Sequence, residues 1–192
     1  MCNDLNDYPE AIEYFLNDYF VNAIKIIENN QGVLDKFIGD GIFAYFGYNS
    51  RRKIGDPYNA IRAAFRFRNR FPILKNQFKK FCAKHYGIEP SDYNLKCGMH
   101  NGPAFLDYFS TSTRNSIILM GPTVNFASRL QGIAKNDEIV ISKQLRNMVE
   151  EKFDFFNIQI KDRLEEQSGK GKLKSFEDED IVFSITGRKE FR

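Results

Sequence analysis

Apolar side chains recur at three- and four-residue intervals near the start of the chain, the spacing that places them on one face of an α-helix. The run covers residues 9–30, and Pro9 suits the first turn of a helix, where no backbone hydrogen bond is lost. A second helical pattern extends from Asp56, the expected N-cap, to about Tyr86, with a kink or break expected at Pro72. The first half of the chain is therefore predicted to carry two long helices.

Between these helices, two short apolar runs predict a β-hairpin. The runs VLDKFI and IFAYFG occupy 33–38 and 42–47, and an Asp-Gly reversal between β-type runs is typical of a tight turn. We expect Asp40 at the tip of this hairpin. Lys36 precedes it by four residues, and strand alternation predicts both side chains on the same face.

The second half of the chain alternates short β-runs with helical patterns. The runs at 95–100 and 103–109 flank an Asn-Gly pair and predict a second hairpin, followed by a buried strand at 116–120. Pro122 suits the start of a helix that runs through Ala134. The remaining predicted elements are a strand at 138–142, a helix from Lys143 to about Phe153 and a β-rich tail.

The order βαββαβ with extra C-terminal strands predicts an α+β protein of the ferredoxin-like plan, an antiparallel sheet with helices packed on one face. A length of 192 residues fits a single domain over 1–192. The chain has 42% hydrophobic residues and 19 Phe without Trp, which indicates a core filled largely by Phe. It has no bilayer-spanning run or signal peptide and no metal-ligand spacing of its three cysteines, which predicts a soluble, cytoplasmic domain with free thiols.

The net charge of +3 is small, but residues 51–88 are strongly basic, with Asp56 as the one carboxylate up to residue 88. Such a stretch could contact nucleic-acid phosphates, and RNA-recognition domains share the ferredoxin-like plan. That function needs aromatics that alternate on exposed central strands after a basic, Gly-rich start, a pattern that DGIFAYFGY matches only superficially. The sequence instead favours a solvated helix face, or one that lies against anionic lipid or a neighbouring domain, and no nucleic-acid partner.

Four polar residues could carry chemistry. Asp40, between two glycines, would let a phosphate-bound Mg²⁺ approach closely, although a plain Asp-Gly turn has the same sequence. Asn125 and Arg129 project from one face of the predicted helix and could hold ribose and phosphate oxygens, or form an ordinary polar surface. Lys36 taken alone is typical of a solvated lysine.

Two longer stretches, DKFIGDGIFAYFG and GPTVNFASRLQGIAKNDEIVIS, resemble the signature regions of class III adenylyl and guanylyl cyclase catalytic domains. LNDYF at 16–20 and CGMHNG at 97–102 fall in the same order as in that family. The resemblance covers nearly the whole chain. It implies attack of a ribose 3′-hydroxyl on the α-phosphorus of a nucleoside triphosphate, giving a 3′,5′-cyclic nucleotide and pyrophosphate. It also implies two Mg²⁺ or Mn²⁺ ions, and an active site at the interface of a head-to-tail homodimer or heterodimer.

The resemblance implies a role for each matching residue. Asp40 matches the second of two metal-binding aspartates. Lys36 matches the lysine that hydrogen-bonds the adenine ring, which favours ATP over GTP. Asn125 would orient the ribose, and Arg129 would stabilise the charge that develops on the α-phosphate.

At other positions the match to the family pattern is ambiguous or missing. Lys170 in GKGKLKSF is the first candidate for the triphosphate-binding lysine, and Lys172 is the alternative. Ile118 occupies a purine-binding position where adenylyl cyclases usually carry Asp or a hydroxyl residue. The first metal-binding aspartate belongs to an Asp-Ile-x-Gly-Phe-Thr strand that should precede the first helix, and Asp4 and Asp7 do not replace it. The sequence therefore predicts a cyclase fold without its first strand, and with an open sheet edge.

Two functions follow from these expectations. One is a nucleotidyl cyclase, within a longer protein with an upstream sensor or membrane region, or as half of a heterodimer. The other is a catalytically weak or inactive cyclase-homology domain that binds nucleotide or a partner domain as a regulator. The missing aspartate predicts little cyclic AMP from the chain alone with Mn²⁺ and ATP.

Overall fold

The computed structural model describes residues 5, 7–48, 55–110, 115–166 and 181–188, in two compact units over 1–95 and 96–192. The first unit contains α1 (Pro9–Asn29), β1 (Gly32–Ile38), β2 (Gly41–Phe46) and α2 (Asp56–Tyr86). The second contains β3 (Lys96–Met99), β4 (Phe105–Ser110), β5 (Asn115–Met120), α3 (Pro122–Ile133), β6 (Glu138–Ile141), α4 (Lys143–Val149), β7 (Phe153–Gln159), α5 (Ile160–Glu166) and β8 (Ile181–Arg188). The predicted α+β class is confirmed, and the single domain stays a prediction.

Phe side chains fill the core between α1 and α2, as the composition predicts. Phe15 and Phe78 are buried with ring centroids 4.9 Å apart, and Phe71 packs beside them. The helix α2 continues through Pro72 without a break. Asp56 is its first helical residue and Gly55 the N-cap, so the predicted N-cap is wrong.

The basic stretch is only partly solvated, which corrects the expectation from charge alone. Three arginines of α2 donate to asparagine side chains of the first unit: Arg62 and Arg66 to Asn30, and Arg70 to Asn22. Lys75 and Lys79 both pair with Asp92, at 3.1 and 3.4 Å. These cations therefore tie α2 to α1 and to the segment after α2.

The strands β1 and β2 form the predicted antiparallel hairpin, in which Ile38 pairs with Gly41. Gly39 has a φ of 61°, a left-handed conformation that favours glycine at the first position of a two-residue hairpin turn. Asp40 is the other turn residue and is exposed, as predicted.

The strands of the second unit form two sheets. A four-stranded sheet has the order β3-β6-β8-β7, with β3 parallel to β6 and the other pairs antiparallel, and β4 and β5 form a separate antiparallel ribbon. The predicted pairing of 95–100 with 103–109 is therefore wrong, because β3 pairs with a strand distant in sequence. The predicted burial of β5 is also wrong, since Ile117 is 54% exposed.

Aliphatic side chains dominate the core of the second unit, where Leu130, Ile133, Val140, Ile158 and Val182 are buried together. The helix α4 ends at Val149 rather than near Phe153, which begins β7. The short helix α5 has no counterpart among the predicted elements.

Both cysteines in the described part of the chain, Cys82 and Cys97, are free, as expected. Among the described residues, no helix combines the length and apolarity needed to cross a membrane.

Candidate functional site

Two of the predicted site residues, Lys36 and Asp40, lie on the β1–β2 hairpin of the first unit. Both are exposed. A bulge interrupts the register of β1 between Leu34 and Lys36, so that Asp35 has no partner residue on β2. The hairpin thus presents an ammonium group on its strand and a carboxylate at its tip.

Asp35 is a residue of this site that the sequence reasoning missed. Its Oδ2 lies 3.0 Å from Lys36 Nζ, and its side chain is 2% exposed, against 42% for Lys36. Apart from this ion pair, the buried Oδ2 accepts no hydrogen bond within the described ranges. Burial, and next the charge of Asp35, raise the pKa of Tyr45 on β2. The sequence signal for Asp35 was its position next to Lys36 in DKFIGDG. Strand alternation hid this signal, because it predicts that the two side chains lie on opposite faces.

Two further predicted residues, Asn125 and Arg129, lie one helical turn apart on α3. Gly121 precedes the helix with a φ of 138°, a conformation that L-side chains rarely adopt, and Pro122 follows in the first turn. The Gly121 carbonyl accepts from the N–H of Asn125 at 3.3 Å. Asn125 is exposed and Arg129 partly exposed, so the helix displays an amide and a guanidinium on one face.

The position of α3 is set by its close contact with β3. A Cβ added to Gly98 would lie 2.1 Å from the backbone nitrogen of Gln131 and 2.4 Å from the carbonyl oxygen of Ala127. Because both atoms belong to the helix backbone, only glycine allows this approach. The placement of Asn125 and Arg129 thus depends on Gly98, a role that the run CGMHNG did not indicate.

His100 adds a second contact between the end of β3 and α3. Its Nδ1 lies 2.8 Å from Ser142 Oγ, and its ring meets Phe126 edge-on with centroids 4.7 Å apart. Ser142 is buried and caps α4, because its Oγ accepts from the N–H of Leu145 at 3.3 Å. The Ser142 hydroxyl hydrogen is therefore available to His100 Nδ1. Burial lowers the pKa of His100, which favours the neutral ring.

Ile118 lies on β5, opposite Asp107 of β4 and partly exposed. Lys36 and Asp40 thus belong to the first unit, and Asn125, Arg129 and Ile118 to the second. Lys170 and Lys172 lie outside the described residues. Within those residues, no group of three His, Cys, Asp or Glu side chains could hold a metal ion.

The chain matches a family model over residues 1–177, and that family is the adenylate and guanylate cyclase catalytic domain. It therefore belongs to this family of cyclase catalytic domains, as the signature stretches predict.

Individual relatives agree with this assignment. A terminal-differentiation-specific adenylate cyclase of Dictyostelium discoideum is 27% identical over 170 residues, covering 83% of this chain and 8% of that protein. An adenylate cyclase of Anabaena cylindrica is 28% identical over 127 residues, covering 66% of this chain and 24% of that protein. The chain thus spans less than a quarter of the length of these curated relatives.

The crystal structure of the adenylyl cyclase CyaB from P. aeruginosa has the same fold. It matches with a TM-score of 0.74 at 23% identity, covering 94% of this chain and 84% of that one.

Proposed function

We propose that this chain is a nucleotidyl cyclase domain that converts a nucleoside triphosphate, with ATP favoured, to a 3′,5′-cyclic nucleotide and pyrophosphate. The observation that carries the proposal is the pair Asn125 and Arg129 on one face of α3, in a chain of the cyclase family. An amide offers both a donor and an acceptor to ribose hydroxyls, and a guanidinium suits phosphate oxygens.

In the proposed reaction, a bond forms between the 3′-oxygen and the α-phosphorus while the bond from that phosphorus to the leaving pyrophosphate breaks. Negative charge grows on the α-phosphate oxygens and on the leaving group. Arg129 stabilises this charge, and Asn125 holds the ribose so that the 3′-oxygen faces the phosphorus. The proton of the 3′-hydroxyl is lost to solvent.

Lys36 is assigned to the base of the substrate. An ammonium group can only donate, which matches the N1 acceptor of adenine, whereas N1 of guanine carries a proton. Ile118 offers no polar atom to the purine, so the preference for ATP rests on Lys36. Lys170, or Lys172 in its place, remains the proposed ligand of the triphosphate.

The donor set fits Mg²⁺ or Mn²⁺ through Asp40. Mg²⁺ commonly binds through one or two carboxylates together with substrate phosphates and water, and Asp40 is an exposed carboxylate at a turn. Asp35 is unsuited to this role because its carboxylate is buried against Lys36. When bound, the metal would lower the pKa of the 3′-hydroxyl and neutralise the leaving group.

A head-to-tail dimer, with itself or with another cyclase domain, is part of the proposal. The β4–β5 ribbon supports it, because apolar side chains on the ribbon are exposed: Phe105, Leu106, Tyr108, Phe109, Ile117 and Met120. We place the domain in the cytosol, within a longer protein that carries a sensor or membrane region. The small share of the relatives' length that the chain matches supports the longer protein.

The test is a cyclase assay with Mn²⁺ and either ATP or GTP, in which cyclic AMP and cyclic GMP are quantified. It uses the 192-residue chain and a version extended at its N-terminus by the family's Asp-Ile-x-Gly-Phe-Thr strand. We expect the extended version to form cyclic AMP, and the chain alone to form little. Arg129→Ala should reduce turnover by roughly a hundred- to thousand-fold, and Ser128→Ala, at an exposed neighbour on α3, should not.

Nucleotide binding separates the two candidate functions. If neither version forms product but both bind ATP in an Asn125-dependent manner, the chain is a regulatory nucleotide-binding module. If neither version binds nucleotide, the cyclase function is wrong, and the regulatory function is reduced to binding a partner domain. Robust turnover by the chain alone would show that the additional aspartate is not limiting.

A further inference from the structure

The first unit has a groove between α1 and α2 that the cyclase proposal does not use. Its volume is about 700 Å³, and its lining includes Tyr14 and Asp18 of α1 and Arg70, Lys80 and Lys84 of α2. None of these residues belongs to the hairpin or to α3. The groove is therefore a separate feature of the molecule.

The charges in this groove are not matched by the chain itself. Lys80 and Lys84 are exposed, and neither has a carboxylate partner within the part of the chain that the structure describes. Lys75 and Lys79 on the same helix, in contrast, share Asp92. Asp18 is the acid of the lining, and its Oδ1 accepts from the neutral Asn22 amide at 2.8 Å. This carboxylate can offset only one of the cations Arg70, Lys80 and Lys84, so the groove keeps net positive charge.

An aromatic pair lies beside these cations. The rings of Tyr14 and Phe81 stack at 3.9 Å with an interplanar angle of 5°, and His85 packs on Phe81 at 4.5 Å. Tyr14 nevertheless stays 43% exposed, which leaves apolar surface next to the lysines. A ligand would need both negative charge and an apolar group to match this surface.

The spacing of the cations selects among anionic ligands. Arg70 and Lys84 are about 21 Å apart along α2, at a rise of about 1.5 Å per residue. An extended peptide of about six residues has this length at roughly 3.3 Å per residue, and a single phosphate group does not reach across it. The spacing thus favours a chain with several carboxylates over a single anionic group.

We propose that this groove binds an acidic peptide segment of a partner protein. Its carboxylates pair with Lys80, Lys84 and the free end of the Arg70 guanidinium, whose Nε is occupied by Asn22 Oδ1 at 3.0 Å. An aromatic or aliphatic side chain of the segment packs on Tyr14. Such a contact gives the domain an attachment point for a regulator or for another part of its assembly.

The experiment measures fluorescence anisotropy of a labelled peptide, Glu-Glu-Glu-Phe-Glu-Glu, titrated with the 192-residue chain. The matched control peptide is Gln-Gln-Gln-Phe-Gln-Gln. Reversing the groove charges in a Lys80→Glu/Lys84→Glu variant should weaken binding at least about tenfold, because like charges then face each other. The same reversal at exposed lysines of α4 and α5, Lys143→Glu/Lys161→Glu, should change it less than about twofold.

Tyr14→Ala tests the apolar contact separately. It should weaken the Phe-containing peptide several-fold and leave a Phe-free hexaglutamate unchanged. Thermal unfolding of each variant shows whether it is folded. Equal losses in both lysine pairs would reduce the effect to net charge and overturn the proposal. The absence of peptide binding would also overturn the proposal. Groove-dependent binding of phosphatidylserine vesicles in place of the peptide would do the same. Lys80 and Lys84 have no role in the proposed reaction, so the result is independent of cyclase activity.

Discussion

Lys36 Nζ lies 3.0 Å from Asp35 Oδ2, although the two residues are consecutive in a β-strand. In a regular strand their side chains would point to opposite faces, and the bulge beside Lys36 removes that alternation. The Asp35 carboxylate is buried, so it restrains the long lysine side chain at one end of the hairpin. Asp35 is thus a positioning residue for the lysine proposed to recognise the purine.

The first prediction concerns base choice. Lys36→Gln should lower kcat/KM for ATP by about ten- to hundred-fold relative to GTP, since hydrogen bonds from charged groups contribute about 1.5–3 kcal/mol. The ratio is measured with both nucleotides in the cyclase assay of the N-terminally extended version, which also serves for the other kinetic predictions. Lys25→Gln, at an exposed lysine of α1, is the control and should leave the ratio unchanged. An unaltered ratio in Lys36→Gln would remove that residue from base recognition.

Asp35→Asn separates positioning from catalysis. The substitution removes the charge that holds Lys36, so KM for ATP should rise several-fold while kcat changes little. Steady-state kinetics at saturating metal give both constants. A fall in kcat at constant KM would mean that Asp35 acts in the chemical step.

A pair of glycines tests the support of α3. Gly98→Ala should destabilise the fold by about 1–3 kcal/mol, because the added methyl group meets the backbone of α3. Gly132→Ala, on the same helix with nothing within 4 Å of the added atom, should stabilise it by roughly 0.5–1 kcal/mol. Urea denaturation measures both changes, and the same sign for both would contradict the packing. Gly98→Ala should also lower kcat, because α3 carries Asn125 and Arg129.

His100 should make stability depend on pH. Burial lowers its pKa below the ordinary 6.5, so below about pH 6.5 the unfolded chain binds more protons than the folded chain. The stability that neutral His100 contributes to the fold is therefore fully present above about pH 6.5. It is lost as the pH falls from 6.5 towards the lower pKa of the folded state. The decrease in Tm between about pH 7.5 and 5.5 should be smaller in His100→Asn than in the unaltered chain. His85→Asn, exposed on α2, should retain the full decrease.

The exposed ribbon β4–β5 should control dimerisation. Phe105 and Phe109 share one face of β4 and are 72% and 48% exposed. A Phe105→Ser/Phe109→Ser variant should sediment as a monomer and lose activity together, since the proposed active site needs two domains. Phe156→Ser, at a side chain 63% exposed on β7, is the matched control. An unchanged sedimentation coefficient in the double variant would place the interface elsewhere.

Local sequence signals were sufficient to predict the helices and turns that carry most of the predicted site residues. The apolar periodicity of α1, the Gly39-Asp40 turn and the Gly121-Pro122 start of α3 all depend on residues close in the chain. Backbone conformation at such positions is set by local sterics, so a sequence reveals it directly. The family followed for the same reason, because its signature stretches coincide with these elements.

The tertiary structure alone decided which distant elements meet. β3 pairs with β6 rather than with its neighbour β4, and Gly98 of β3 allows α3 to pack closely against it. Arginines of α2 donate to Asn22 of α1 and to Asn30 directly after it, and a bulge brings Asp35 to Lys36. Strand partners, close backbone contacts and side-chain pairs depend on residues far apart in sequence, which no local pattern encodes. The sequence by itself thus determined the family and the candidate site residues. The packing determined which residues contact one another and hold those candidates in place.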